Sequence, residues 1–116
     1  MKELNWVGSS KSDLKKFPAP VKRDIGQALY AAQNGETDPS AKPLKGFSGT
    51  SVMEIVDRYD TDTYRAVYTT KIVGEVYVLH AFQKKSKQGI KTSKQDIDLI
   101  KSRLAAARKH QREGRK

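Results

Sequence analysis

Seven cations and one histidine carry most of the chemistry that this sequence could perform. Arg65 sits inside the apolar run TYRAVYTTKI, and Lys84 and Lys85 close the run EVYVLHAFQKK. Lys87 and Lys91 follow within a few positions, while Lys42 and Lys45 stand upstream in AKPLKG. Gathered on one surface, guanidinium and ammonium groups bind phosphate and stabilise charge building on phosphoryl oxygens. A well-placed group of this kind contributes about 3 kcal/mol to a transition state. An arginine among apolar neighbours in mid-strand is costly to bury unless it is paired or aimed at an anion. Glu54, on the preceding strand, offers a cross-strand ion pair. Successive strand residues face opposite sides, so one of Lys84 and Lys85 shares the face of Arg65. Tyr64, Tyr68 and Tyr77 supply rings on which bases could stack, and a sheet lined by cations and tyrosines suits a protein that grips an RNA backbone.

Other constellations are missing. GFSGTS at 46–51 matches neither a nucleophile elbow nor a phosphate-binding loop, which leaves Ser48 as a turn residue. The chain has no cysteine, and His80 and His110 lie thirty positions apart, so the sequence calls for no metal and no cofactor. Glu54 and Asp57 fall on opposite faces of one strand, against a shared acid–base pair. His80 reads first as a satisfied core or edge residue and second as a proton-transfer group.

The elements that must position these groups follow from periodicity. Residues 2–7 read as a strand, and a short helix ends at Phe17 because Pro18 blocks its continuation. A second helix over 20–34 carries the stripe Val21, Ile25, Ala28, Leu29, Ala32 and stops at Asn34-Gly35. Residues 36–51 read as a loop. Strands are predicted at 52–59, 63–72 and 75–82, separated by hairpin-type turns. A last helix begins near 93, capped through Thr92 with Gln95 or Ser93 with Asp96. The order β-α-α-β-β-β-α predicts an α+β fold, an N-terminal strand and α-hairpin packed on a small antiparallel sheet with a C-terminal helix. The expected organisation is one domain over 1–107 and a basic, mobile tail over 108–116.

Charge is unevenly spread. Residues 1–62 hold nine basic and nine acidic side chains, and 63–116 hold fourteen and four, so the net +10 lies wholly in the second half. Such asymmetry calls for an anionic partner. The N-terminus lacks the apolar core of a signal peptide, and no run approaches the roughly 18 apolar residues of a membrane span. A cytoplasmic protein with no membrane partner is expected.

TYRAVY at 63–68, followed after a short gap by VYVLHAFQKKSKQGIKTSKQDIDLIKSRL at 76–104, resembles the RelE/ParE toxin superfamily, nearest its HigB-like, phage-related branch. The α-hairpin with its QNG stop, the loop AKPLKGFSG and the Glu54 strand fit the same pattern, over about residues 4–105. The resemblance implies a RelE-like fold and an mRNA interferase, a ribosome-dependent endoribonuclease held inactive by a helix-turn-helix, HigA-like antitoxin. By position, Arg65 matches the strand arginine that contacts the scissile phosphate, Lys85 the cation after the strand, with Lys84 beside it. Lys42, Lys45, Lys87 and Lys91 become RNA contacts. The sequence departs from RelE in having Lys91 where a tyrosine would follow the KK segment. The general base therefore stays open among Tyr68, His80 and a lysine whose charge its neighbours disfavour. Arg65 and Lys85 are the expected functional pair, whose joint replacement by Ala should abolish cleavage without unfolding the chain. Two other readings remain: a ParE-like toxin acting on a protein such as gyrase, and a basic RNA-binding module without chemistry.

Overall fold

The computed structural model describes residues 1–85 and 91–113. Its elements are β1 (Leu4–Trp6), α1 (Ser10–Lys15), α2 (Ala19–Gln33), β2 (Ala41–Pro43), β3 (Met53–Tyr59), β4 (Asp62–Ile72), β5 (Glu75–Lys84) and α3 (Lys94–Glu113). The strands form one sheet in the order β1-β5-β4-β3-β2. The arrangement is α+β and compatible with a RelE-like fold.

Three features differ from the sequence reading. The sheet is mixed, because β1 joins the free edge of β5 in parallel, Leu4 opposite Val76 and Trp6 opposite Val78. Residues 41–43, expected in a loop, form the edge strand β2 with Lys42 opposite Glu54; an edge is where a strand containing proline is tolerated. Residues 108–113, expected in a mobile tail, are the last turns of α3. Ala105 to Ala107 are strong helix formers. Ala107 is buried against the sheet, and the Tyr77 hydroxyl donates to Gln111 Oε1 at 3.2 Å, which anchors those turns.

Helices cover the sheet on both sides. Val21, Ile25, Ala28, Leu29 and Ala32 of α2 pack with Phe17 on Ile55, Tyr64, Ala66, Tyr68, Val76, Val78 and Ala81. Ile100, Leu104 and Ala107 of α3 pack on Val52, Val67, Ile72, Tyr77 and Leu79. A bulge in β5 makes the second face possible: Val67 pairs with His80 while Tyr68 pairs with Val78, leaving Leu79 as the extra residue. Both Leu79 and His80 then turn toward α3, which strict alternation forbids.

Tight turns hold the meander in register. Tyr59 pairs with Asp62 and Ile72 with Glu75, so each hairpin turns through two residues. At Val73-Gly74 both residues have positive φ, 46° and 74°, the geometry of a type I′ turn. A β-branched valine there is strained. Gly8, at φ 58°, has a different reason: a Cβ would fall 2.7 Å from Arg103 Nε. Arg103 needs that space because it ties α3 down, donating to Leu79 O and to Ser9 Oγ, both at 3.0 Å. Among the described residues, no helix is long and apolar enough to cross a membrane.

Candidate functional site

Register puts a polar row across the α3 face of the sheet. Lys42 of β2 stands opposite Glu54 of β3, Glu54 opposite Val67 of β4, and Val67 opposite His80 of β5. One pair further along, Arg65 lies opposite Phe82, and Thr63 opposite Lys84. Alternation therefore assigns Lys84, not Lys85, to the side that Arg65 occupies.

Arg65 is only 6 % exposed and Glu54 3 %. Arg65 Nη1 donates to Glu54 Oε1 at 3.0 Å, and the Thr92 hydroxyl donates to Glu54 Oε2 at 2.6 Å while lying 3.4 Å from the same Nη1. The two carboxylate oxygens are thus shared between a strand arginine and the residue just before α3. Beside this triad a cleft of about 350 Å³ opens, lined by Lys42, Pro43, Leu44, Lys45, Arg65, Lys91, Thr92 and Ile97. Among the described residues, its lining carries four cationic side chains and no carboxylate. Glu54, paired with Arg65, neutralises part of that charge, and the three lysines on the lining are exposed.

The other expected site residues fall elsewhere. Lys84 is 7 % exposed, and its ammonium donates to the Lys91 carbonyl, which straps the approach to α3 against the end of β5. Lys85 follows the strand, is exposed, and is not among the residues lining the cleft. Lys87 lies outside the described residues. His80 Nε2 is 2.8 Å from Asp96 Oδ1, and its ring stacks on Phe82 with centroids 4.5 Å apart. Asp96 is itself fixed by the helix cap, since Ser93 Oγ accepts its N–H at 3.1 Å and donates to its Oδ2 at 2.7 Å. His80 thus holds the first turn of α3 and does not reach the cleft lining.

The tyrosines are placed differently from the stacking surface expected of them. Tyr68 is buried beneath α2, on the far side of the sheet from Arg65, and burial pushes its hydroxyl pKa up. Tyr64 lies on that same far face, edge-on to Phe17 at 4.9 Å between centroids. Tyr77 shares the α3 face but is buried and bonded to Gln111. Alternation already separated Tyr68 from Arg65. The bulge that turns Tyr77 toward α3 left no mark in a strand apolar on both faces.

Thr92 is the participant that sequence reasoning missed. As a possible helix cap it drew attention for its local role, and nothing local indicates that its hydroxyl closes a bridge to Glu54. Burial of Arg65 also puts a stability cost on the joint Arg65→Ala/Lys85→Ala replacement, which the sequence reading expected to leave the chain folded. Removing one partner of a buried ion pair strands the other charge at a cost of about 3–5 kcal/mol.

A family profile described as Phage derived protein Gp49-like (DUF891) matches residues 12–105, most of the chain. Comparison with curated proteins and with solved structures gives no match.

Proposed function

The chain belongs to the Gp49-like family of phage-derived proteins, a family related to RelE toxins and associated with toxin–antitoxin systems, and from that membership we propose that it is a toxin that cleaves mRNA on the ribosome. On this reading it is a HigB-like enzyme neutralised by a helix-turn-helix, HigA-like antitoxin. The observation that carries the reading is the cleft in which Lys42, Lys45, Lys91 and Arg65 meet, with no carboxylate on the lining among the described residues.

In this reading the cleft residues supply charge stabilisation and the RNA supplies the nucleophile. A phosphodiester lies in the cleft, with the lysine ammonium groups and the Arg65 guanidinium on its non-bridging oxygens. The adjacent 2′-hydroxyl gives up its proton and attacks phosphorus, and the bond to the 5′-oxygen breaks. That oxygen takes a proton from a cleft ammonium group or water, so the products carry a 2′,3′-cyclic phosphate and a 5′-hydroxyl. Charge on the pentavalent intermediate state is greater than in the ground state, so fixed cations favour the transition state selectively. Glu54 and Thr92 hold Arg65 in one orientation, and Lys84 positions Lys91 through its carbonyl. Tyr68 is on the wrong face and His80 is engaged by Asp96, so the proton acceptor comes from the cleft lysines or from solvent. Purified protein added to a reconstituted translation mixture should cut mRNA only while ribosomes are present. Intact mRNA under those conditions would remove the nuclease assignment.

A further inference from the structure

A second cationic hollow lies at the opposite end of α3. It has a volume of about 290 Å³ and is lined by Lys71, Ile72, Val73, Arg108, Gln111 and Arg112. Lys71, Arg108 and Arg112 are all exposed. Among the described residues, none of these three enters an ion pair. The hollow is not formed by a loose tail, because Ala107 is buried and Gln111 is bonded to Tyr77.

Stability alone does not account for this grouping. Cations in the last turn of a helix interact favourably with its dipole, but Lys71 belongs to β4 and lies outside the helix. Arg108 and Arg112 are four apart, a like-charge spacing that costs a few tenths of a kcal/mol, roughly 0.2–0.5. Three cations around one hollow with an apolar floor make a place where an anion is held favourably.

The exposed side of α3 connects this hollow to the cleft. Lys94, Lys101 and Arg108 recur every seven residues, with Arg112 one turn beyond Arg108, so all four lie on one side of the helix. Asp98 is the one carboxylate in that stripe among the described residues. From Lys94 to Arg112 the axis runs about 27 Å at roughly 1.5 Å per residue. No single phosphate spans that length, whereas a run of successive phosphates along a helical strand does.

We propose that Lys71, Arg108 and Arg112 form a second phosphate-binding site, which with Lys101 grips the backbone of an RNA helix while the cleft at the other end of α3 holds the strand to be cut. The choice of RNA over other polyanions rests on the proposed function; the site itself rests on the hollow and the stripe. It reads no sequence, since backbone contacts position a nucleic acid without specifying it.

The test is fluorescence anisotropy of the full chain with a labelled RNA duplex of about 16 base pairs, without ribosomes, over a salt series. Each lost phosphate contact lowers the slope of log affinity against log salt by about 0.7–0.9. Arg108→Gln/Arg112→Gln should lower it by roughly 1.4–1.8, with thermal stability little changed. Lys71→Gln, on an exposed strand position, should lower it by just under about one unit. Slopes equal to the parent's in both variants overturn the proposal. So does a parent that binds phosphatidylserine vesicles but not the duplex. Reduced slopes without ribosomal cleavage leave this site standing and remove the nuclease; cleavage with unchanged slopes does the reverse.

Discussion

On the α1–α2 side of the sheet, Ile55, Ala66, Tyr68, Val76 and Val78 close against Val21, Ile25 and Leu29, and no basic side chain among the described residues is buried there. On the α3 side the same strands bury Glu54, Arg65, His80 and Lys84 beside Val67 and Leu79. The difference lies in what covers each face. An amphipathic helix laid flat, as α2 is, offers mainly its apolar stripe, with Asp24 facing Asp57 at its margin. The approach to α3 and its first turn offer the Lys91 carbonyl to Lys84, the Thr92 hydroxyl to Glu54 and the Asp96 carboxylate to His80. Further along, α3 becomes apolar through Ile100, Leu104 and Ala107, and the strands beneath it do too. Among the described residues, the buried basic side chains gather at the end where the approach to α3 can answer them, and there the cleft opens.

The sharpest way to break this contrast is through the ion pair. Arg65→Ala should cost about 3–5 kcal/mol in chemical denaturation, because Glu54 keeps a charge with no counterion. Arg65→Ala/Glu54→Ala should recover much of that loss and still fail to cleave. A single mutant as stable as the parent would mean that Glu54 is solvated and the cleft is built otherwise.

On the opposite face the informative group is Asp57. Burial, followed by the facing Asp24 carboxyl, raises its pKa to about 6. A carboxyl that holds its proton more tightly in the folded chain than in the unfolded one supports the fold fully below the unfolded value, near 3.8. That support is lost as pH rises through about 6. Asp57→Asn should therefore raise the melting temperature more at pH 8 than at pH 5. An equal gain at both would show that Asp57 titrates like an exposed carboxyl.

Smaller effects separate the cap from the core. Ser93→Ala removes both bonds to Asp96 and should cost about 1 kcal/mol, with a matching loss of amide protection in the first turn of α3. Tyr68→Phe should leave RNA cleavage unchanged, since its hydroxyl is on the far side of the sheet from the cleft. A drop in cleavage with the fold intact would return Tyr68 to the list of bases.

Much of this arrangement was legible in the residues. The alternation of TYRAVYTT put Arg65 opposite Tyr68 in facing, and Asp60-Thr61-Asp62 and Val73-Gly74 marked the turns of the meander, although Asp62 proves to be the first residue of β4. Lys42, Lys45 and Lys91 could be named as a basic group, though spacing alone did not bring them together. What stayed hidden depends on tertiary contact. Leu79 as a bulge residue cannot be recognised in a strand apolar on both sides. Alternation said that one of Lys84 and Lys85 shares the Arg65 face, and only the pairing with Thr63 selects Lys84. The basic end of α3 looked like a tail because charge density resembles disorder, until Tyr77 is seen to hold Gln111.

The most direct measurement compares the parent with Lys42→Ala/Lys45→Ala/Lys91→Ala in ribosome-stimulated mRNA cleavage, with circular dichroism to verify the fold. These lysines line the opening and leave the Arg65–Glu54 pair in place. Loss of their charge should slow cleavage by about a hundredfold or more, with the melting temperature little changed. A folded triple variant that cuts mRNA at the parent's rate would contradict the assignment of this cleft as the place where the phosphate is held.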